Sequence, residues 1–124
     1  MALTQALILL DTNVVLYWLG GRLAKPLPSG QYFVSVITEI ELLSYPNLSS
    51  DEDTQIRDFL SKITVVGIES SIKELAIALR KQYRLRLPDA IIAAIAQSLN
   101  ATLFTNDVRL ANLVGVNAQS VQIL

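Results

Sequence analysis

Four acidic residues lie at positions where an ordinary surface carboxylate is not expected. Asp11 and Asp89 directly adjoin long apolar stretches, and Glu41 and Asp107 lie shortly after predicted strands. A buried carboxylate is unfavourable unless a cation or hydrogen bonds compensate it, and converging carboxylates repel one another. A bound divalent ion is the simplest compensation. The residue types therefore predict a site for a hard cation with oxygen ligands.

The composition removes most other hydrolytic chemistries. The 124 residues include no cysteine and no histidine. Disulfides, thiolate metal sites and Ser-His arrangements are therefore excluded. In a hydrolysis reaction, a carboxylate or a metal-bound hydroxide has to take up the proton.

Each acid also has a purely structural interpretation. Asp11 and Asp107 are at positions favoured for a helix cap or turn, and Asp89 complements a helix dipole. Glu41 follows Thr38 with capping-box spacing. For each acid taken singly, the structural interpretation is at least as good as the functional one. Taken together, the structural interpretations require four caps to cluster at one edge of a sheet. Six acids with polar neighbours serve as the contrast and are expected to be solvated: Asp51, Glu52, Asp53, Asp58, Glu69 and Glu74.

The acids are positioned by strands that alternate with helices. Strands are predicted at 6–10, 32–36, 63–68 and 101–105, with a possible edge strand at 121–124. Helices are predicted at 14–19, from Thr38 to Pro46, and at 51–62, 71–83, 88–99 and 107–113, with 22–30 as a loop. Ser71 and Glu74 have the spacing of a capping box. This order predicts one α/β domain over 1–124, a three-layer sandwich with a central parallel sheet of four to five strands and helices on both faces.

In such a sheet, ligands collect at the carboxyl ends of the strands. Asp11, Glu41 and Asp107 follow three of the predicted strands and are expected at that edge. Asp89 begins the helix before the fourth strand, and it reaches the same edge if the chain makes the usual right-handed return.

Four segments around these acids resemble the PIN domain family, most closely its VapC-like toxins. They are Leu-Leu-Asp-Thr-Asn at 9–13, Ser-Val-Ile-Thr-Glu-Ile-Glu-Leu at 35–42, Leu-Arg-Leu-Pro-Asp-Ala-Ile-Ile-Ala-Ala at 85–94 and Leu-Phe-Thr-Asn-Asp at 103–107. They occur in the family's order. The resemblance implies a PIN-like fold and a nuclease dependent on Mg²⁺ or Mn²⁺, with the four acids as its catalytic metal site.

The resemblance also implies individual roles. Asp11 and Asp89 are expected to bind metal directly, and Glu41 and Asp107 directly or through water. Glu39 competes with Glu41, but the family pattern selects Glu41 and leaves Glu39 exposed. Five small polar residues are expected to hold the carboxylates or metal-bound water, with turn and cap roles as the open alternative: Thr12, Asn13, Thr38, Thr105 and Asn106.

A net charge of −1 argues against a generally basic nucleic-acid binder, so any contact with a polyanion has to be local. One basic cluster is a candidate for binding the phosphate backbone, with a solvated helix end as the alternative: Arg80, Lys81, Arg84 and Arg86. Trp18, Tyr17 and Tyr83 could stack on bases, but packing in the core or in a dimer is favoured.

The expected activity is endoribonuclease cleavage by the toxin of a toxin–antitoxin pair, which implies an RNA substrate and an antitoxin protein. The hydrophobic content of 52% favours a homodimer, and the interrupted apolar N-terminus predicts a cytoplasmic protein without a membrane anchor. A phospho-accepting receiver domain fits poorly, because Thr12 follows Asp11 and no lysine follows Lys81. A non-catalytic interaction module and a nuclease acting on DNA remain alternatives.

Overall fold

The computed structural model describes residues 5–124. The strands are β1 (Leu7–Leu10), β2 (Gln31–Ser35), β3 (Thr64–Val66), β4 (Thr102–Phe104) and β5 (Asn117–Gln119). The helices are α1 (Thr12–Leu19), α2 (Val36–Leu43), α3 (Ser50–Ser61), α4 (Ser70–Tyr83), α5 (Leu87–Leu99) and α6 (Val108–Ala111).

The five strands form one parallel sheet in the order β3-β2-β1-β4-β5. The predicted PIN-like α/β fold is therefore confirmed. From the central strand β1, the chain first builds the sheet outward through β2 and β3, and later adds β4 on the other side of β1. The carboxyl ends of β1 and β4 thus lie at the point where the strand order reverses, which is the usual place for a ligand site in such sheets.

Two hydrophobic clusters cover the two faces of the sheet. Leu9 packs with α4 and α5 on one face, whereas Ile8 and Leu10 pack with α1, α2 and α3 on the other. All three side chains are at most 1% exposed, because alternate residues of a strand point to opposite faces. The continuous apolar run in β1 is therefore explained by burial on both sides.

Helix α5 is buried around most of its circumference. Residues 90–96 are all at most 4% exposed, as the alanine- and isoleucine-rich run predicts. Pro88 lies in the first turn, where it costs no hydrogen bond, and Asn100 ends the helix with a left-handed backbone, φ 52°. This packing anchors the first turn of α5, and Asp89 with it, against the sheet.

Helix α1 begins at Thr12, two residues before the predicted start at 14, because the Asp11 side chain caps it. Two further predicted helix starts, those of α2 and α4, are also wrong. Helix α2 begins at Val36, not Thr38, because the Ser35 side chain caps it by accepting from the Ile37 backbone N–H at 2.9 Å. Helix α4 has Glu69 at its N-cap without a side-chain cap bond, so Ser71 and Glu74 form no capping box. In both cases the helix begins before the residue whose spacing suggested the cap.

The predicted edge strand at 121–124 is also wrong. The edge strand is β5, which pairs with β4, and within 121–124 the only bridge is an antiparallel one between Ile123 and Leu23. Asn106 fixes this tail by exchanging two hydrogen bonds with the Val121 backbone, at 3.0 and 2.8 Å. The sequence of β5, Asn-Ala-Gln, lacks the apolar pattern of a buried strand.

Among residues 5–124, none of the helices combines the length and apolar character needed to cross a bilayer.

Candidate active site

A cavity of about 190 Å³ opens at the carboxyl ends of β1 and β4. All four predicted acids line it, although they come from four separate parts of the chain. The other residues in its wall are Thr12, Asn13, Tyr45, Arg86, Pro88 and Ile92. The expectation that Asp89 reaches the same edge as Asp11 therefore agrees with the observed geometry.

Asp11 lies between β1 and α1 and has both carboxylate oxygens hydrogen-bonded. Oδ1 accepts from the Thr12 backbone N–H at 2.8 Å, and Oδ2 accepts from the Thr105 hydroxyl at 2.7 Å. Burial raises the pKa of Asp11, these two hydrogen bonds oppose the rise, and the charges of Asp89 and Asp107 add to it. The site therefore concentrates negative charge around Asp11.

A second hydrogen-bond chain positions Glu41. The Thr12 hydroxyl donates to Glu41 Oε1 at 2.8 Å and lies 2.8 Å from the Thr38 hydroxyl. Because the one proton of Thr12 goes to Glu41, the Thr38 hydroxyl donates to Thr12. Thr38 is fully buried. These hydrogen bonds link Thr12 in α1 to Thr38 and Glu41 in α2. Glu39 does not line the cavity, and it is half-buried, not exposed as expected.

Asp89 and Asp107 are compensated by arginines. Asp89 Oδ2 lies 3.4 Å from Arg86 Nε and 3.6 Å from Arg109 Nη2, and the same Arg109 nitrogen lies 3.6 Å from Asp107 Oδ2. Asp107 also caps α6, since its Oδ1 accepts from the Arg109 backbone N–H at 2.9 Å. The Thr105 hydroxyl accepts from the Asp107 backbone N–H at 3.0 Å. The cap interpretation of Asp107 and its place in the cavity therefore both hold.

Of the remaining predicted site residues, some line the cavity and others have contacts outside it. Asn13 lines the cavity, whereas Asn106 bonds to the C-terminal tail. Of the basic cluster, Arg86 alone lines the cavity. Arg80 donates to the Leu85 carbonyl at 3.1 Å, and Arg84 has the left-handed backbone that ends α4.

Two of the three aromatic residues considered for base stacking, Trp18 and Tyr83, pack against other residues of the chain. Trp18 packs against Tyr32 and Phe59, with ring centroids 5.5 and 5.2 Å apart. Tyr83 is partly buried against the cluster of α4 and α5. These contacts agree with the packing interpretation of both residues.

Sequence reasoning missed Arg109 and Tyr45. Arg109 follows Asp107 by two residues, but only the folded chain shows that it reaches Asp89 as well. Tyr45 follows Glu41 by four residues, which in the predicted helix up to Pro46 is the spacing of one face, although α2 ends at Leu43. Tyr45 is 45% exposed and lines both the acidic cavity and a neighbouring apolar groove of about 400 Å³.

The donor set suits a hard divalent cation, because every candidate ligand is a carboxylate or hydroxyl oxygen. Burial is the main cause of the raised pKa of Asp11, and the charges of Asp89 and Asp107 add to it, so a bound cation would offset both effects. Within residues 5–124, no group of three or more acidic side chains is arranged so that it could hold a metal ion. Asp89 and Asp107 lie instead in ion pairs with Arg86 and Arg109.

The family model of the PIN domain matches residues 8–116. The chain belongs to the PIN domain family, a family of nucleases that generally use divalent metal ions.

Within that family the chain is VapC-like, because solved structures of VapBC and other toxin–antitoxin complexes resemble it. A chain of a toxin–antitoxin complex from Klebsiella pneumoniae is 33% identical, with a TM-score of 0.74 over 88% of this chain and 94% of that one. VapBC-1 from nontypeable Haemophilus influenzae gives 25% identity and a TM-score of 0.70 over 92% and 97%.

A third structure supports the fold alone. VapBC2 from Rickettsia felis, bound to a DNA fragment from its promoter, is 18% identical, with a TM-score of 0.78 over 94% of this chain and 99% of that one. Among functionally curated proteins there is no significant match.

Proposed function

We propose that this protein is a Mg²⁺- or Mn²⁺-dependent endoribonuclease and the toxin of a toxin–antitoxin pair. The observation that carries the proposal is the cavity in which Asp11, Glu41, Asp89 and Asp107 meet. Arg86 and Arg109 offset part of the charge of these four carboxylates, and a divalent cation would offset the rest. Membership of the PIN domain family supports the same activity.

In this proposal Asp11 and Asp89 bind the metal directly, and Glu41 and Asp107 bind it directly or through water. A bound divalent cation would supply a Lewis acid that lowers the pKa of a bound water and stabilises charge on the phosphate. Thr12 and Thr105 hold the oxygens of Asp11 and Glu41 in place. Hydroxyls in such supporting positions orient ligands and tune the site.

The reaction is hydrolysis of a phosphodiester bond. The oxygen of a water molecule forms a bond to phosphorus, and the bond from phosphorus to one ribose oxygen breaks. Since the chain has no histidine, a carboxylate of the cavity accepts the proton of the attacking water, and the departing ribose oxygen takes a proton from that carboxyl group or from solvent water. Arg86, at the cavity wall and 69% exposed in its side chain, is placed to contact a phosphate of the substrate.

We extend the proposal to the protein's partners and organisation. The chain is one domain, a cognate antitoxin covers the acidic cavity, and two copies of the toxin form a homodimer. The support for an antitoxin is that similar solved structures come from toxin–antitoxin complexes. The support for a dimer is the high hydrophobic content together with exposed apolar side chains such as Ile40, Ile77 and Leu87.

The test is cleavage of a defined single-stranded RNA by purified protein, with Mn²⁺, with Mg²⁺ and with a chelator. We expect cleavage only with the divalent ions. We expect Asp11→Asn to lower the rate by about 100-fold or more, because even residues that merely orient a metal ligand contribute roughly 10–100-fold. Asp58→Asn on α3 is the matched control, since it removes an acid far from the cavity.

Two outcomes would contradict the proposal. Equal cleavage by the Asp11→Asn protein would mean that a contaminant is responsible. Cleavage of DNA of the same sequence, with the RNA left intact, would reassign the substrate while keeping the metal site.

A further inference from the structure

Arg109 bridges two of the four acids. One of its guanidinium nitrogens, Nη2, lies 3.6 Å from Asp89 Oδ2 and 3.6 Å from Asp107 Oδ2. The two acids belong to different elements, the first turn of α5 and the loop before α6. A single cation therefore joins carboxylates that are 18 residues apart along the chain.

This bridge uses the groups that a metal would need. Asp107 Oδ1 is already engaged by the backbone N–H of Arg109 at 2.9 Å, so Asp107 Oδ2 is the oxygen that remains for an added cation. Asp89 Oδ2, which Arg109 also contacts, is 3.4 Å from Arg86 Nε. A guanidinium and a divalent cation would repel each other beside the same carboxylate, so the two compete for Asp89 and Asp107.

We propose that Arg109 is the counter-ion of the metal-free site and competes with the divalent cation for Asp89 and Asp107. This inference rests on the proposed function, because it assumes that these acids bind a metal. The guanidinium stabilises the carboxylate pair before the metal arrives and gives way when it binds.

The position of Arg109 allows a divalent cation to displace its guanidinium from the two carboxylates. Its side chain is 60% exposed, whereas that of Asp89 is 10% exposed, so the arginine can turn outward while the carboxylate stays in place. Its backbone remains fixed by the α6 cap to Asp107. A guanidinium displaced from the carboxylates stays at the cavity mouth, where it can pair with a phosphate oxygen of the substrate.

Arg86 is the natural comparison. It contacts one of the two acids, Asp89, from the N-cap position of the same helix. Removing Arg86 takes away one ion pair but leaves the bridge intact. The effect of Arg109 on metal binding should therefore exceed that of Arg86.

The test measures Mn²⁺ affinity directly, from the electron paramagnetic resonance signal of free Mn²⁺, in the unaltered protein and in Arg109→Gln. We expect the variant to bind Mn²⁺ roughly three- to tenfold more tightly, since a competing charge is removed. Arg109→Lys, which keeps the charge, should stay close to the unaltered protein. Arg86→Gln should give a smaller gain, and Arg57→Gln, remote on α3, none.

Thermal unfolding supplies a second readout that does not depend on activity. Without metal, Arg109→Gln should melt at a lower temperature than the unaltered protein, because the carboxylate pair loses its counter-ion. With saturating Mn²⁺, the gain in melting temperature should be larger for the variant. Melting curves also show that the variant is folded.

The outcomes separate this inference from the proposed function. If the unaltered protein binds no Mn²⁺ at millimolar concentration, the metal-dependent function is overturned. If it binds Mn²⁺ and Arg109→Gln binds it equally or more weakly, the competition by Arg109 is overturned while the metal site stands.

Discussion

The acids on α3 and the acids in the cavity have the same side-chain chemistry in opposite settings. On α3, Asp53 pairs with Arg57 at 2.7 Å, and Asp58 pairs at 3.0 Å with Lys62, the residue that caps the C-terminus of the helix. These side chains are between 38% and 72% exposed. In the cavity, by contrast, the side chain of Asp89 is 10% exposed and its arginine partners lie at 3.4 and 3.6 Å.

The difference shows that a close ion pair is a poor guide to function. The α3 pairs are compensated locally and in water, where such a pair contributes little. The cavity carboxylates come from several elements, and two of them share Arg109. Burial raises the pKa of Asp11, and the charges of Asp89 and Asp107 add to the rise. Charge that the fold gathers and leaves incompletely compensated is the feature that indicates a site.

The largest expected effect is a loss of RNA cleavage when an acid of the cavity is replaced, compared with no loss when an acid of α3 is replaced. Asp89→Asn should lower metal-dependent RNA cleavage by about 100-fold or more, because it removes a proposed metal ligand. Asp58→Asn should leave the rate unchanged within about twofold, because exposed pairs of this kind contribute little. Initial rates at saturating Mn²⁺ measure both.

Equal losses of cleavage activity in the two variants would contradict this prediction. They would mean that the total negative charge of the protein matters, and not the position of the acid in the cavity. A folded Asp89→Asn protein with full activity would remove Asp89 from the metal site.

The next largest effect is expected when the hydroxyl of Thr105, which positions Asp11 in the cavity, is removed. Thr105 is 1% exposed and bonds to both Asp11 and the Asp107 backbone. Thr105→Val should cost about 1–3 kcal/mol of stability, because two partly buried groups, the Asp11 carboxylate and the Asp107 backbone N–H, lose their hydrogen-bond partner. It should also lower activity about tenfold through the misplaced carboxylates. Denaturant unfolding and cleavage rates measure the two effects.

Thr105→Ser is the matched variant because it keeps the hydroxyl. It should recover most of the activity. If Thr105→Val and Thr105→Ser behave alike, the hydroxyl is not what positions Asp11.

Much of this arrangement could be predicted from the sequence. The apolar run before Asp11 indicates a strand buried on both faces, and alternation with helices indicates a parallel sheet. In such a sheet, residues that follow different strands meet at one edge. Asp11 and Asp107 could thus be placed together although they are far apart in the chain.

The parts that could not be predicted depend on side-chain direction and on weak local signals. Nothing in the spacing of Arg109 shows that it reaches Asp89 across two elements. Ser35 and Thr38 are both good cap residues, and only packing decides that Ser35 caps α2 while Thr38 bonds to Thr12. Strand β5 is short and polar, so its pairing with β4 leaves no hydrophobic pattern.

The smallest expected effect is a change in stability that has opposite signs in the two regions. Burial raises the pKa of Asp11 in the folded protein, and the charges of Asp89 and Asp107 add to the rise. The folded state therefore holds this proton more tightly than the unfolded chain. The stability contributed by Asp11 is greatest below its unfolded pKa and is lost as the pH rises through the raised folded value. At neutral pH, the charged Asp11 destabilises the metal-free protein.

Asp11→Asn should accordingly raise the melting temperature of the metal-free protein at pH 7 by a few degrees, where about 1 kcal/mol corresponds to roughly 4 °C. The gain should shrink as the pH is lowered toward the range in which Asp11 is protonated. Asp53→Asn should instead lower stability slightly, by about 0.3–0.5 kcal/mol, because it removes a helix ion pair. Melting curves in chelator from pH 4 to pH 8 (about the range of ordinary carboxylate titration and beyond) measure both. A loss of stability in Asp11→Asn at pH 7, equal to that in Asp53→Asn, would mean that the cavity carries no excess charge for a cation to relieve.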